Sequence, residues 1–177
     1  PFNLFINENG KEAAQFPFGV DAAVFHGATN APAVDVDAVF DAPNVVQNLA
    51  YGNYTSYLNL GTNKYDLAIR ANGSPDVLYS YRADLTGLAG NAVTVFASGL
   101  IGGIPEFGLF AALADGTVAE LPLTPTARVQ VIHNAPDPSV DVYAGSTLLI
   151  NDFNFRTATP FVTLPADRTY TVGVAGN

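Results

Sequence analysis

The sequence predicts an all-β fold, an immunoglobulin-like β-sandwich that repeats about every 105 residues. Three observations lead to this prediction. Short runs rich in Val, Tyr, Phe and Thr alternate with turn residues, and no segment carries a capped apolar stripe of helical period. Several blocks of sequence also occur twice, in the same order and at nearly the same spacing.

Individual strands are predicted where apolar residues alternate or cluster between turn residues, because such patterns suit a half-buried pleated surface. Asn9-Gly10 and Asp115-Gly116 favour tight turns between strands. The first of these turns lies in the segment Leu4 to Phe18, which we expect to form a hydrophobic hairpin. The predicted strands are Ala22 to His26, Ala33 to Phe40, Tyr54 to Leu60, Tyr65 to Ala71, Val77 to Ala83, Ala92 to Ala97, Gly108 to Leu113 and Val118 to Leu123.

The repeat is clearest around two histidines. His26 is followed by Asp35, and His133 is followed by Asp141, with matching apolar residues around each pair. We expect three pieces: residues 1–20 as the C-terminal hairpin of one repeat, 21–124 as a complete repeat, and 125–177 as the first half of the next. The chain is then expected to be a segment of a longer array.

The composition narrows the classes of function. Among 177 residues, 16 are Asp or Glu and 7 are Lys or Arg, which gives a net charge of −9 and disfavours binding to nucleic acid. Without cysteine, disulfides, thiol catalysis and Cys-based zinc sites are excluded. The longest apolar stretch, Phe96 to Ala114, is interrupted by Gly and Pro, so no membrane span is predicted. An acidic, lysine-poor composition favours an extracellular or cell-surface protein.

The repeated motifs resemble a known family. The run Ala127 to Tyr143, with its Val-Ile-His, Ala-Pro-Asp-Pro and Val-Asp-Val-Tyr parts, is similar to the bacterial domain of unknown function 4397 (DUF4397). The stretches Val24 to Val36, Asn48 to Leu60 and Tyr65 to Arg70 resemble it as well. The resemblance implies an exported protein, tandem copies and a sandwich fold, and it implies no activity. The first copy departs from the pattern at Gly27 to Pro32.

The His and Asp of each copy have the residue types of a general base and its orienting acid. A catalytic triad would also need a nucleophile, and Ser139 stands near the pair in one copy only, where the other copy has alanine. We therefore interpret His26, Asp35, His133 and Asp141 as a structural motif, in which His and Asp hydrogen-bond across the loop that joins two strands. No catalytic residue is predicted.

Carboxylates suggest a possible metal. Asp35, Asp37 and Asp41, with Asp21 nearby, could supply oxygen ligands to calcium. The spacing of a calcium-binding loop is missing, so a solvated acidic face is the preferred interpretation and no cofactor is expected.

Two further features concern ligands and interfaces. Tyr54 lies in an aromatic-rich stretch and is predicted to be at the surface, where it could contact a sugar. Leu100, Ile101 and Ile104 lie in a glycine-rich loop and could form a contact patch between subunits or domains. A phosphate loop is excluded there, because the segment has no Gly-Lys-Ser/Thr and opens no helix.

These features favour a non-catalytic structural or adhesive repeat of an exported surface or filament-forming protein. Its expected partners are further copies or neighbouring repeats, joined by strand addition. The alternative is an extracellular module on the same scaffold that binds a glycan or a peptide.

Overall fold

The structure is a computed structural model that describes residues 3–39 and 41–176, with the backbone alone at Pro43. The last residue of the strand predicted to end at Phe40, like the first two residues of the predicted N-terminal hairpin piece, lies outside the described residues. The chain forms two compact units, Pro1–Leu123 and Thr124–Asn177. Each unit is described by itself.

The first unit contains nine strands within its described part. They are β1 (Gly19–His26), β2 (Val34–Ala38), β3 (Ala42–Leu49), β4 (Leu58–Gly61), β5 (Lys64–Ala71), β6 (Val77–Asp84), β7 (Ala92–Ser98), β8 (Gly108–Leu113) and β9 (Val118–Glu120).

Two sheets result from these strands. One sheet has the order β4-β1-β7-β8-β9 and the other the order β3-β2-β5-β6. Every pairing is antiparallel except that between β1 and β7, which is parallel. Buried residues of both sheets form one apolar core, with Val20 and Val93 from the first sheet and Val36, Ile69 and Tyr81 from the second. The first unit is therefore a two-sheet sandwich, as the strand patterns predicted.

A buried ion pair joins the central strand β5 to the edge strand β6. Arg82 Nε donates to Asp66 Oδ1 at 2.8 Å, and both side chains are almost fully buried. The next pair along the same two strands, Lys64 with Asp84, is 3.3 Å long and lies at the surface.

The predicted hairpin over Leu4 to Phe18 does not form. In the described residues of this segment the only strand-like pairing is a single bridge between Ala13 and Asn91. Its counterparts in the repeat, β8 and β9, form because β8 pairs with β7. The strand β7 is the only one of this kind in the described residues, and its edge is already paired with β8. The segment from Leu4 to Phe18 therefore stays irregular.

Asp21 holds this irregular segment against β1. Its carboxylate accepts hydrogen bonds from Lys11 Nζ at 2.6 Å, Asn59 Nδ2 at 2.8 Å and the Gln15 N–H at 3.1 Å. The bond from Lys11, with those from Asn59 and Gln15, keeps the pKa of Asp21 below its usual value despite the opposing effect of burial.

The second unit contains seven strands within its described part. They are β10 (Thr126–Val129), β11 (Ile132–His133), β12 (Val140–Ala144), β13 (Thr147–Phe153), β14 (Thr157–Ala158), β15 (Val162–Pro165) and β16 (Val172–Gly176). They form the pairs β10-β15 and β11-β14 and the three-stranded sheet β13-β12-β16.

Those pairings repeat the first five strands of the first unit. The sheet β13-β12-β16 corresponds to β3-β2-β5, and Val142 opposite Val174 corresponds to Val36 opposite Ile69. The pair β10-β15 corresponds to β1-β4. The bridge between Phe25 and Tyr54 corresponds to the pairing of Ile132 with Ala158. The sequence repeat is thus also a repeat of strand pairing.

The fold class is all-β: the described residues form strands, turns and loops, and no helix is found among them. That the sandwich is of the immunoglobulin-like type remains a prediction.

Candidate functional site: the repeated His and Asp positions

The first repeated residue, His26, ends β1 and is 2% exposed. Its Nε2 lies 2.9 Å from the carbonyl oxygen of Pro32, in the loop that leads to β2. Because a carbonyl can only accept, Nε2 of His26 carries a proton. Nδ1 is buried and has no hydrogen-bond partner. His26 thus fixes the loop between β1 and β2.

His133 occupies the corresponding place at the end of β11, and it is also buried. Here Nδ1 accepts a hydrogen bond from the backbone N–H of Ala135 at 3.3 Å. The two histidines therefore share a position in the fold and differ at Nδ1, which has a hydrogen-bond partner in His133 and none in His26.

Asp35 lies on β2 and binds three donors from other segments. Its carboxylate accepts the Asn48 N–H at 2.7 Å, Asn72 Nδ2 at 2.9 Å and the Gly73 N–H at 3.1 Å. The bond from Asn48, followed by those from Asn72 and Gly73, lowers the pKa of Asp35 from its usual value. Asp35 therefore ties β2 to β3 and to the turn after β5.

Asp141 repeats the most important of these contacts, because it accepts the N–H of Asp152 at 2.9 Å. Asn48 and Asp152 both have a positive φ, 49° and 53°, a conformation that non-glycine residues adopt at a cost. Pairing between the strands shifts register next to each aspartate. The repeated aspartate thus stabilises a β-bulge in the neighbouring strand.

The expected hydrogen bond between His and Asp is not made in either copy. The histidines bind within their own loops, and the aspartates bind the bulges of β3 and β13. The hydroxyl of Ser139 contacts the Phe153 carbonyl and Asn154 Oδ1. These contacts give each repeated residue a place in the fold and bring no Ser–His pair together.

The three carboxylates considered for calcium have other contacts. Asp35 binds N–H groups, and Asp37 accepts from the Asn44 N–H at 2.6 Å and from Arg70 at 2.7 Å. Asp41 lies directly after the undescribed Phe40, where β2 turns into β3. Across residues 3–39 and 41–176, no group of three His, Cys, Asp or Glu side chains is placed to hold a metal ion.

The residues that could contact a ligand or another subunit differ in how far they are exposed. The Tyr54 ring stacks on Phe25 at 4.4 Å and is half-buried, so one of its faces is covered. Leu100 and Ile101 are also half-buried, and Asn30 bonds to both the N–H and the carbonyl of Ile101. Of the three apolar residues only Ile104 is exposed, at 95%, so they do not form one exposed patch.

An aromatic groove in the first unit was not anticipated as a site. Tyr79 and Phe107 stack at 4.6 Å, and Glu106 and Glu120 lie beside them in a groove of about 450 Å³. Burial, and then the neighbouring Tyr79 and carboxylates, raise the pKa of Tyr81 at the groove floor. The glutamates join the tyrosines only through contacts between segments distant in sequence, which leave no local motif.

Fold and site together define an all-β repeat protein whose recurring His and Asp residues fix a loop and a bulge. The family model "Domain of unknown function (DUF4397)" matches residues 21–114 and 127–177. The chain belongs to this family, as the motifs had indicated. No curated protein and no solved structure matches the chain.

The sequence predicted no membrane span. In residues 3–39 and 41–176, no helix is long and apolar enough to cross a membrane.

Proposed function

We propose that this chain is a non-catalytic structural or adhesive repeat module of an exported surface or filament-forming protein. The observation that carries the proposal is that the second unit repeats five strands of the first and has two strand edges without a partner among the described residues. The two matching segments of the family model agree with repetition.

Open strand edges are the first part of this observation. In the first unit, β1 pairs with β7 and β5 pairs with β6 on their outer sides. Among the described residues, β10 pairs with β15 alone and β16 with β12 alone. Edges with unpaired N–H and C=O groups are templates for another strand.

Exposed apolar side chains are the second part. Val174 is 66% exposed, whereas its counterpart Ile69 is 4% exposed in the complete sandwich. Val172, Ile132 and Phe161 are exposed as well. Large exposed apolar residues that line a strand edge mark an interaction site. The partner that fits is a set of strands like β6 and β7 from another repeat, added by backbone hydrogen bonding.

The segment from residue 3 to residue 18 supplies complementary chemistry. Its sequence matches that of β8 and β9, and its large apolar side chains Leu4, Ile6, Phe16 and Phe18 are exposed. Because β8 pairs with β7, this segment is our candidate for a donor that adds beside a β7-like strand of another copy, and it does not fill the edges of β10 and β16 themselves. Export is supported by the acidic, lysine-poor composition and by the family resemblance, since such a surface keeps extended arrays soluble.

Self-association tests the proposal. Small-angle scattering and electron microscopy of the chain over a range of concentrations should give elongated assemblies. Val174→Lys should weaken them, because it places a charge on the open edge of β16. Ile104→Lys is the matched control, since Ile104 is also exposed but lies in a loop. Compact monomers at all concentrations, or equal effects of both variants, would count against the proposal.

A second function, binding of a glycan or a peptide, is favoured by the aromatic groove. Glu106 and Glu120 take part in no ion pair among the described residues, so the groove is negatively charged. Aromatic faces beside carboxylates suit a ligand with a basic group. Screening against glycans and Lys/Arg-rich peptides should give binding that Tyr79→Ala weakens and Tyr54→Ala does not. The absence of any binder would remove this function.

A further inference from the structure

The first strand of the first unit is covered on the side that faces away from the core. Val20 and Ala22 of β1 belong to the core between the two sheets. Because side chains alternate along a strand, Asp21, Ala23 and Phe25 face the other way. Asp21 and Ala23 are nevertheless almost fully buried. A further layer therefore covers this side of β1, which we call its outer face.

The irregular segment that precedes β1 contributes to this layer at both ends of the outer face. Lys11 Nζ donates to the Asp21 carboxylate at 2.6 Å and lies 4.8 Å from the centre of the Tyr57 ring. At the other end, the ring centres of Phe5 and Phe25 are 5.5 Å apart. The contact thus combines one ion pair with aromatic packing.

The second copy carries a cation where the first carries an anion. Asp21 of β1 stands opposite Asn59 of β4. Arg128 of β10 stands opposite Thr163 of β15, which corresponds in the repeat to Asn59. The charge at this position of the outer face is therefore reversed from one copy to the next.

Arg128 also takes the place of the Lys11 ammonium. Its guanidinium lies 5.0 Å from the centre of the Phe161 ring, and Phe161 is the counterpart of Tyr57. In the described part of the chain Arg128 forms no ion pair. A lysine brought to this place would meet a like charge, whereas a carboxylate would gain a charge-assisted hydrogen bond.

The outer face of the second copy, on β10 and β11, is uncovered among the described residues. Arg128 and Gln130 are exposed, and Ile132, the counterpart of Phe25, is 67% exposed. Phe161 is 54% exposed. The corresponding residues of the first copy are all buried or half-buried. The second copy therefore presents an apolar and cationic face at the place where the first copy is covered.

We propose that the outer face of β10 and β11 binds a segment of another repeat that resembles residues 3–18 but carries a carboxylate in place of Lys11. The carboxylate pairs with Arg128, and an apolar residue at the position of Phe5 covers Ile132. The charge at one position then selects which segment covers which copy. The proposal rests on the proposed association of repeats for the source of the segment, and it concerns a sheet face rather than the strand edges.

Three synthetic peptides test this recognition on the full chain. The first has the sequence of residues 3–18, and the second carries Lys11→Glu. The third carries Lys11→Gln and Asn3→Glu, so it has the net charge of the second with the added carboxylate at the far end. NMR follows the backbone amides of Arg128 and Ile132 during each titration.

We expect the second peptide to bind saturably and about three- to tenfold more tightly than the first, because opposite charges replace like charges at the same place. The third peptide should bind more weakly than the second, although their net charges are equal. Strand addition at the edge of β16 is followed separately at the amides of Val172–Gly176. Its failure is therefore distinguishable from a failure of this proposal.

Arg128→Asp tests the charge preference from the side of the protein, because it gives the second copy the acidic residue of the first. It should reverse the order, so that the first peptide binds more tightly than the second. If this variant does not fold, the three peptides on the unaltered chain still decide. Equal affinities of the second and third peptides, shifts that do not saturate, or shifts that leave Arg128 and Ile132 in place would overturn the proposal.

Discussion

Replacing Arg82 by methionine should destabilise the first unit strongly. The change leaves the buried carboxylate of Asp66 without the guanidinium that lies 2.8 Å from it, and both side chains are less than 10% exposed. Removing one partner of a buried pair costs about 3–5 kcal/mol, because the remaining charge loses its opposite charge in a poorly solvated place. The free energy of unfolding of the first unit should fall by this amount.

The chain supplies a matched control two residues along the same strands. Lys64 and Asp84 form the same kind of pair at 3.3 Å, with side chains 54% and 47% exposed. Solvent screens this pair, so Lys64→Met should cost about 0–0.5 kcal/mol. Both pairs join the same two strands and combine a cationic side chain with a carboxylate. The difference between the two losses of stability therefore measures the effect of burial.

A double variant separates the pair from its surroundings. The second copy carries Thr171 at the place of Asp66, so Asp66→Thr with Arg82→Met removes both charges together. It should be more stable than Arg82→Met alone, since no buried charge remains. Urea titration followed through the amide signals of the first unit measures all three variants. Equal, small losses for Arg82→Met and Lys64→Met would refute this reasoning.

Two further predictions concern the repeated positions. Asp35→Ala should accelerate amide hydrogen exchange at Asn48 and Gly73 severalfold, because both N–H groups lose their acceptor. The pKa of Asp35 is lower in the folded than in the unfolded chain, where it is near 3.9. Its contribution to stability is therefore present above the unfolded pKa and is lost as pH falls through the folded pKa. The same two amides should lose protection in that pH range, and unchanged exchange there would contradict this prediction. Gly27→Asn, which copies the second repeat, should cost about 1–3 kcal/mol in a thermal or urea melt, because a Cβ would lie 2.6 Å from the Ala97 carbonyl oxygen of β7. The reverse change Asn134→Gly should have a smaller effect, and equal costs would show that the close approach to Ala97 is unimportant.

The sequence was sufficient for most strands and for the repeat, because alternating apolar residues report directly on a half-buried sheet. It missed β3, which contains a proline and two asparagines with positive φ. Bulges at Asn44 and Asn48 break the two-residue alternation on which strand prediction depends. Because β3 contains turn-forming residues, its sequence did not predict a strand.

Contacts between distant segments account for the other differences. Asp35 was expected to bond with His26, but the donors that it uses follow from the bulge in β3. Ile101 was expected at the surface, yet it is half-buried, and its backbone N–H donates to Asn30, about seventy residues earlier. Neither contact has a local signature in the sequence.

The proposed array depends on the second unit repeating the fold of the first and accepting further strands at β10 and β16. The most direct test lengthens the chain after residue 177 with its own residues 73–124, which contain β6 to β9 of the first unit, and measures amide exchange in β16. The outward amides of Val172–Gly176 should gain at least tenfold protection, and Val174 should become buried. Exchange in β16 that stays unchanged, with the added residues unstructured, would contradict the proposed repeat.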